Sequence, residues 1–167
     1  MDAKNKHVKK LAIAGIFVAL GVVCSPFHIP IGASKCFPIQ HMVNVLAAVL
    51  LGPFYGVGMA FVTSFLRILM GTGTLLAFPG SMCGAFLCGI AYKYSKNLYL
   101  AYAGEIIGTA VIGGLIAYPV AAILMGKEVA LFFYVLPFAV STIGGTAIAA
   151  LLIAVFRKLK VLDSLRT

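Results

Sequence analysis

The sequence predicts an all-α integral membrane protein, one domain over residues 1–167, built as a six-transmembrane-helix bundle with N- and C-termini cytoplasmic. Three observations predict it. Hydrophobic residues make up 62% of the chain and charged residues 10%, whereas a soluble domain carries about a quarter charged residues. Prolines, glycines and short basic loops cut the apolar sequence into stretches near the roughly 20 residues a helix needs to cross a bilayer. Finally, Lys and Arg divide unevenly once six helices are laid out. Lys4, Lys6, Lys9, Lys10, Lys93, Lys96, Arg157, Lys158, Lys160 and Arg166 fall on the side of the termini, and Lys35, Arg67 and Lys127 on the other. Ten against three places the termini inside. The net charge of +9 therefore reads as topology, with the bilayer as partner and no nucleic acid.

The first helix is expected over 8–24, after a basic tail. Its apolar run ends at Cys24-Ser25-Pro26 without a small-x-small cleavage site, so it is expected to stay as a helix and not to leave as a signal peptide. Gly15 and Ala19 form a small-xxx-small pair that lets another helix approach, within this chain or from a partner. An extracellular lid follows over 25–39, where Pro26, Pro30 and Pro38 forbid an undisturbed helix. The second helix, 40–51, is short for a full crossing. Gly52-Pro53 turns the chain into the third, 55–70, which ends on Gly71-Thr72-Gly73-Thr74. The fourth, 79–94, starts at Pro79, a residue suited to a first turn. The fifth, 98–125, contains Pro119, a kink site. Gly126-Lys127-Glu128 leads into the sixth, 130–156. Small residues recur at packing spacing, as in Gly80 with Gly84 and Gly104 with Gly108. Cys83 and Cys88 read as core residues; Cys24 and Cys36 flank the lid, either paired or free.

The sequence is that of a non-enzyme. It has no GxxxxGK[ST] loop, no complete dinucleotide fingerprint and no H-E-x-x-H, and four acidic residues are too few for a carboxylate-based metal or acid–base centre. Any uphill transport therefore draws on a partner or an ion gradient. What remains is an outer polar cluster. Gln40, His41 and Asn44 stand at the start of the second helix, where spacings of three and four put His41 and Asn44, and Gln40 and Asn44, on shared faces. Arg67 lies about 18 Å along the third helix from its inner end, just below Thr72 and Thr74. Phe37, Phe78, Tyr118 and Tyr134 are outer-side aromatics able to stack a flat heterocycle or to serve as an interfacial belt. Ser141 and Thr142 lie roughly 17 Å from the outer end of the sixth helix, as a pocket floor or as backbone-bonded hydroxyls. Glu105 is the one carboxylate inside a helix, where charge is costly and calls for a partner. It lies some 20 Å from Tyr118 along the fifth helix, so its expected role is structural or coupling, not ligand contact.

The runs IGASKCFPIQHMVNVLAAVLLGP, SFLRILMGTGTLLAFPGSMCGA and GEIIGTAVIGGLIAYPVA resemble the ThiW family, over about residues 8 to 157. These are substrate-binding (S) components of energy-coupling-factor (ECF) transporters of the prokaryotic cell membrane, associated with uptake of a thiazole precursor of thiamin. The resemblance implies six helices with both termini inside. It implies a first loop closing over a pocket lined by that loop and the outer halves of the last three helices. It implies docking on a transmembrane coupling subunit driven by two ATPase subunits, so that this chain carries no cofactor and ATP is used by its partners. The docking face of such proteins is a small-residue motif on the first helix; here it is Gly15-x-x-x-Ala19 in place of the usual alanine pair. The implied ligand is 4-methyl-5-(2-hydroxyethyl)thiazole. The hydroxymethylpyrimidine precursor, thiamin itself, and a self-sufficient secondary transporter are the alternatives.

Overall fold

A computed structural model describes residues 3–31 and 34–160. The expected lid residues Gly32 and Ala33 and the tail cation Arg166 lie outside the described residues. The described residues form six helices: α1 (Ala3–Val23), α2 (Pro38–Leu50), α3 (Pro53–Leu69), α4 (Ala77–Ser95), α5 (Leu98–Leu124) and α6 (Val135–Lys158). α1 starts earlier than the apolar run suggests, because the lysines and alanine before it are good helix formers. α6 starts later, at Val135. Residues 131–134 form a turn, and Pro137, which cannot continue a helix from within, sits in the first turn instead.

The lid carries structure of its own. β1 (Ile29–Ile31) pairs antiparallel with β2 (Ser34–Cys36), Ile29 opposite Cys36 and Ile31 opposite Ser34. A proline is tolerated in such an edge strand, and Pro30 occupies one.

α2 is the axis of the bundle. It packs against all five other helices, and every residue from Gln40 to Leu50 is buried. Its 13 residues span about 20 Å, less than a bilayer core. It is shielded by its neighbours and capped by the lid, which is why a helix with three polar residues at one end can sit in an apolar protein. Around it the outer surfaces are apolar. α5 and α6 are 27 and 24 residues long, each with a mean hydropathy of 2.1, and only 39% and 33% of their apolar windows are buried. Both are long and apolar enough to span a membrane, and the core helix of a soluble protein would be buried far more completely.

α5 is not a uniform helix. Wide π turns over Ile107–Gly113 and Val120–Leu124 flank the α-helical Gly114–Pro119. Pro119 donates no amide, so the ladder reorganises beside it; wide turns take the place of a single kink. The α4–α5 seam is close enough to need glycine. A Cβ on Gly108 would come 2.6 Å from the Cys83 carbonyl oxygen, and one on Gly84 would overlap the Thr109 hydroxyl and lie 2.9 Å from the Glu105 carboxyl carbon. Gly84→Ala is therefore expected to cost about 1–3 kcal/mol, read as earlier thermal unfolding in detergent. Gly58→Ala, with nothing within 4 Å, is the control; equal melting of the two would show slack in the seam. Gly15 and Ala19 are used differently. Both face outward on α1, and nothing lies within 4 Å of a Cβ on Gly15.

Candidate functional site

The polar end of α2 lies under the lid, and a cavity of about 360 Å³ opens there. Its walls come from the lid, the start of α2, the end of α3 with its glycine-threonine loop, the starts of α4 and α6, Thr109 in the middle of α5, and the loop after α5. Of the residues singled out in the sequence, Phe37, Gln40, His41, Arg67, Thr72, Thr74, Tyr134 and Ser141 line it. Ser141 reaches it because α6 begins at Val135: the side chain is about 9 Å into the helix, not the deeper position expected from a start at residue 130.

Three of the expected residues lie elsewhere. Asn44 is fully buried one turn below His41 and is not part of the cavity wall. Phe78 packs its ring on Phe61, centroids 5.3 Å apart. Tyr118 sits half-buried on α5 away from the cavity. In their place stand Ser81, Thr109, Lys127, Phe133 and Phe138. One sequence signal existed for Thr109: it is four residues after Glu105 and so shares its helix face.

A continuous hydrogen-bond network forms the floor. At one end Arg67, 1% exposed, donates from Nη1 to Gln40 Oε1 and from Nη2 to the Thr72 carbonyl at 3.4 Å. Its guanidinium carbon lies 3.9 Å from the centre of the Phe37 ring, a stacked cation–π contact. Gln40 Nε2 donates to Ser64 Oγ at 3.2 Å, and Ser64 Oγ is 3.0 Å from Ser81 Oγ. Asn44 Nδ2 then donates to the Ser81 carbonyl at 3.2 Å and to Glu105 Oε1 at 3.3 Å. Glu105 Oε1 also meets His41 Nδ1 at 3.0 Å and accepts from Thr109 Oγ1 at 3.3 Å. Glu105 is therefore bonded across helices and lies off the cavity wall, one bond behind His41 and Thr109. The bond to Glu105 holds Nδ1 of His41, which turns Nε2 as the nitrogen left for a ligand.

The Arg67 Nε donor, fully buried, has no protein partner, and the guanidinium lines the cavity. Buried polar groups normally find partners, so this donor is suited to a ligand acceptor. The roof is pinned to α6. The Phe37 amide donates to Ser141 Oγ at 2.8 Å, and Cys36 Sγ lies 3.1 Å from the Pro137 carbonyl. Burial pushes the Cys36 thiol up, which keeps it protonated and able to donate. All four cysteines are free, so Cys24 and Cys36 do not pair. Across the rim Ser25 Oγ lies 2.7 Å from Thr72 Oγ1, tying the end of α1 to the glycine-threonine loop. Among the described residues no group of His, Cys, Asp and Glu is placed to hold a metal ion.

A family model described as thiamine-precursor transporter protein (ThiW) matches residues 11–159. No curated protein and no solved structure matches the chain.

Proposed function

The chain belongs to the ThiW family of thiamine-precursor transporter proteins, and from that premise we propose that it is the substrate-capture subunit of an ATP-driven ECF-type transporter, binding 4-methyl-5-(2-hydroxyethyl)thiazole from outside the cell. The observation that carries this reading is the cavity under the lid. Its volume, about 360 Å³, is at the small end for ligand sites. Phe37, Phe133, Tyr134 and Phe138 supply flat apolar walls of the kind that stack a five-membered aromatic ring. Arg67, His41 and Thr74 supply polar groups for a ring nitrogen and a hydroxyl.

Charge separates the thiamin-related candidates. Lys35, Arg67 and Lys127 line the cavity, and among the described residues no carboxylate does. A thiazolium cation such as thiamin would meet three like charges, at a distance where repulsion is not fully screened. The neutral thiazole alcohol meets none of that cost. The same three cations favour a second reading, in which the cavity takes the phosphate monoester of that alcohol, because Arg and Lys together suit phosphate oxygens.

Within this proposal all six helices cross the plasma membrane of a prokaryote with both termini inside, and the hairpin lid is the gate. In this reading the energy comes from a coupling subunit and two ATPase subunits, as the family resemblance implies. The outward-facing Gly15 and Ala19 of α1 suit close approach by the coupling subunit.

Calorimetry on the purified chain in detergent tests the ligand. One-site binding of the thiazole alcohol, tighter than the pyrimidine alcohol and thiamin, is expected. Tighter binding of the phosphate ester selects the second reading, and no heat with any of the four removes the assignment. Proteoliposomes holding this chain alone are expected not to accumulate the thiazole alcohol; accumulation driven by an ion gradient would instead make the chain a self-sufficient secondary transporter.

A further inference from the structure

A second concavity, about 520 Å³, lies at the opposite end of the bundle, where α2 ends and the Gly52-Pro53 turn begins. Four cations from three helices and one helix cap line it: Lys10 on α1, Lys93 and Lys96 at the end of α4, and Arg157 near the end of α6. None of them meets a carboxylate among the described residues. The two acidic residues described are Glu105, which belongs to the network under the lid, and Glu128, in the loop between α5 and α6 at the other end. Cations are expected beside helix C-termini, and the ends of α2, α4 and α6 all lie at this end. Each terminus carries about half a negative charge, however, so three of them offset roughly one and a half of the four positive charges. Among the described residues a surplus of at least two is left in one cavity.

Lys96 adds an independent observation. It caps α4 with φ at 54°, in the left-handed region that glycine or asparagine normally fills. A lysine held there carries backbone strain, a feature that clusters at functional sites. Its ammonium lies 5.9 Å from the centre of the Tyr92 ring, and Lys10 stands 5.7 Å over the Tyr55 ring. With Lys93 lying 5.8 Å from the centre of the Tyr94 ring, three of the four cations are set over aromatic faces. Phe54 and Tyr94, next in sequence to the lining residues Pro53 and Lys93, are 80% and 79% exposed, so apolar surface is at hand at this end of the bundle.

We propose that this cavity binds a phosphate oxyanion presented by an anionic membrane phospholipid, its headgroup on Lys93, Lys96 and Arg157 and its acyl chains along the apolar flank. The topological role of basic residues asks only for charge on one side; it does not ask four of them to converge on one concavity. A soluble phosphate shares the chemistry but has no use for the flank.

The test uses the full chain purified in detergent, read by native mass spectrometry and thermal unfolding. Phosphatidylglycerol is expected to stay bound and to raise the melting temperature, while phosphatidylcholine and inorganic phosphate do neither. The variant Lys93→Gln/Lys96→Gln/Arg157→Gln is expected to bind phosphatidylglycerol on the order of 100-fold more weakly, taking each cation near a membrane surface at its usual weight. Lys4→Gln/Lys6→Gln/Lys158→Gln, which removes as many charges outside the cavity, keeps the binding. Equal losses in the two variants mean diffuse surface attraction and overturn the site. Inorganic phosphate matching the lipid overturns the lipid assignment. Binding at the thiazole cavity is expected to be unchanged in both variants, so the two proposals stand or fall separately.

Discussion

Replacing Glu105 with alanine is expected to destabilise the protein by about 2–5 kcal/mol, the range for emptying a buried side chain of that size. Glu105 is fully buried and takes three donors on one oxygen, from His41, Asn44 and Thr109. Two of those donors have a second acceptor: Asn44 reaches the Ser81 carbonyl, and Thr109 the Gly80 carbonyl at 3.2 Å. Their orphaning is partial, so the cavity term dominates. Glu105→Gln separates the terms, because it fills the space and keeps one carbonyl acceptor. It is expected to melt close to the parent while changing ligand affinity through His41, whose ring then faces an amide and not a carboxylate. Thermal unfolding in detergent and calorimetry on the same samples read both. An alanine variant that melts with the parent would show that the network under the cavity contributes nothing to the fold.

Much of the helical architecture was legible because apolar runs and Pro/Gly punctuation are local signals. The lid was legible as an interruption but not as a hairpin: strands of three residues, one containing Pro30, leave no alternation to read. Glu105 shows a different limit. Measuring depth along its own helix separates it from the outer residues, and that much holds, since it does not line the cavity. The position of its neighbours was invisible. α2 descends through the centre of the bundle, so His41 brings the cavity wall within one bond of the carboxylate. The aromatics show the same limit. Phe78 and Tyr118 match Phe138 in type and side, and what turns Phe138 inward is a gap on another helix. A Cβ on Gly80 would lie 2.9 Å from its ring. Ser81 and Thr109 read as ordinary hydroxyls in apolar helices, and Lys127 as a loop charge, until the starts of α4 and α6 and the turn after α5 converge.

Arg67→Met is expected to separate affinity from stability, moving them unequally. A guanidinium 1% exposed carries a large desolvation cost, and its partners here are neutral oxygens, so an apolar side chain in its place removes that cost without stranding an opposite charge. The substitution leaves Gln40 Oε1 and the Thr72 carbonyl without their donor, which costs about 1–3 kcal/mol for a buried group. The two effects oppose, so thermal unfolding should shift little. Ligand binding has no such compensation. If the unpartnered Nε donor and the ring-stacked face of the guanidinium serve the substrate, the loss is that of a charged hydrogen bond, about 1.5–3 kcal/mol, or roughly 10- to 150-fold in Kd. Arg67→Lys is expected to fall between, keeping the charge but losing the planar fork that holds Gln40, Thr72 and Phe37 together. Affinity equal to the parent in Arg67→Met would leave the arginine a structural brace between α3 and the lid. The recognition of the ligand's polar atoms would then rest on the other polar groups that line the cavity, among them His41, Thr74, Lys127 and Tyr134.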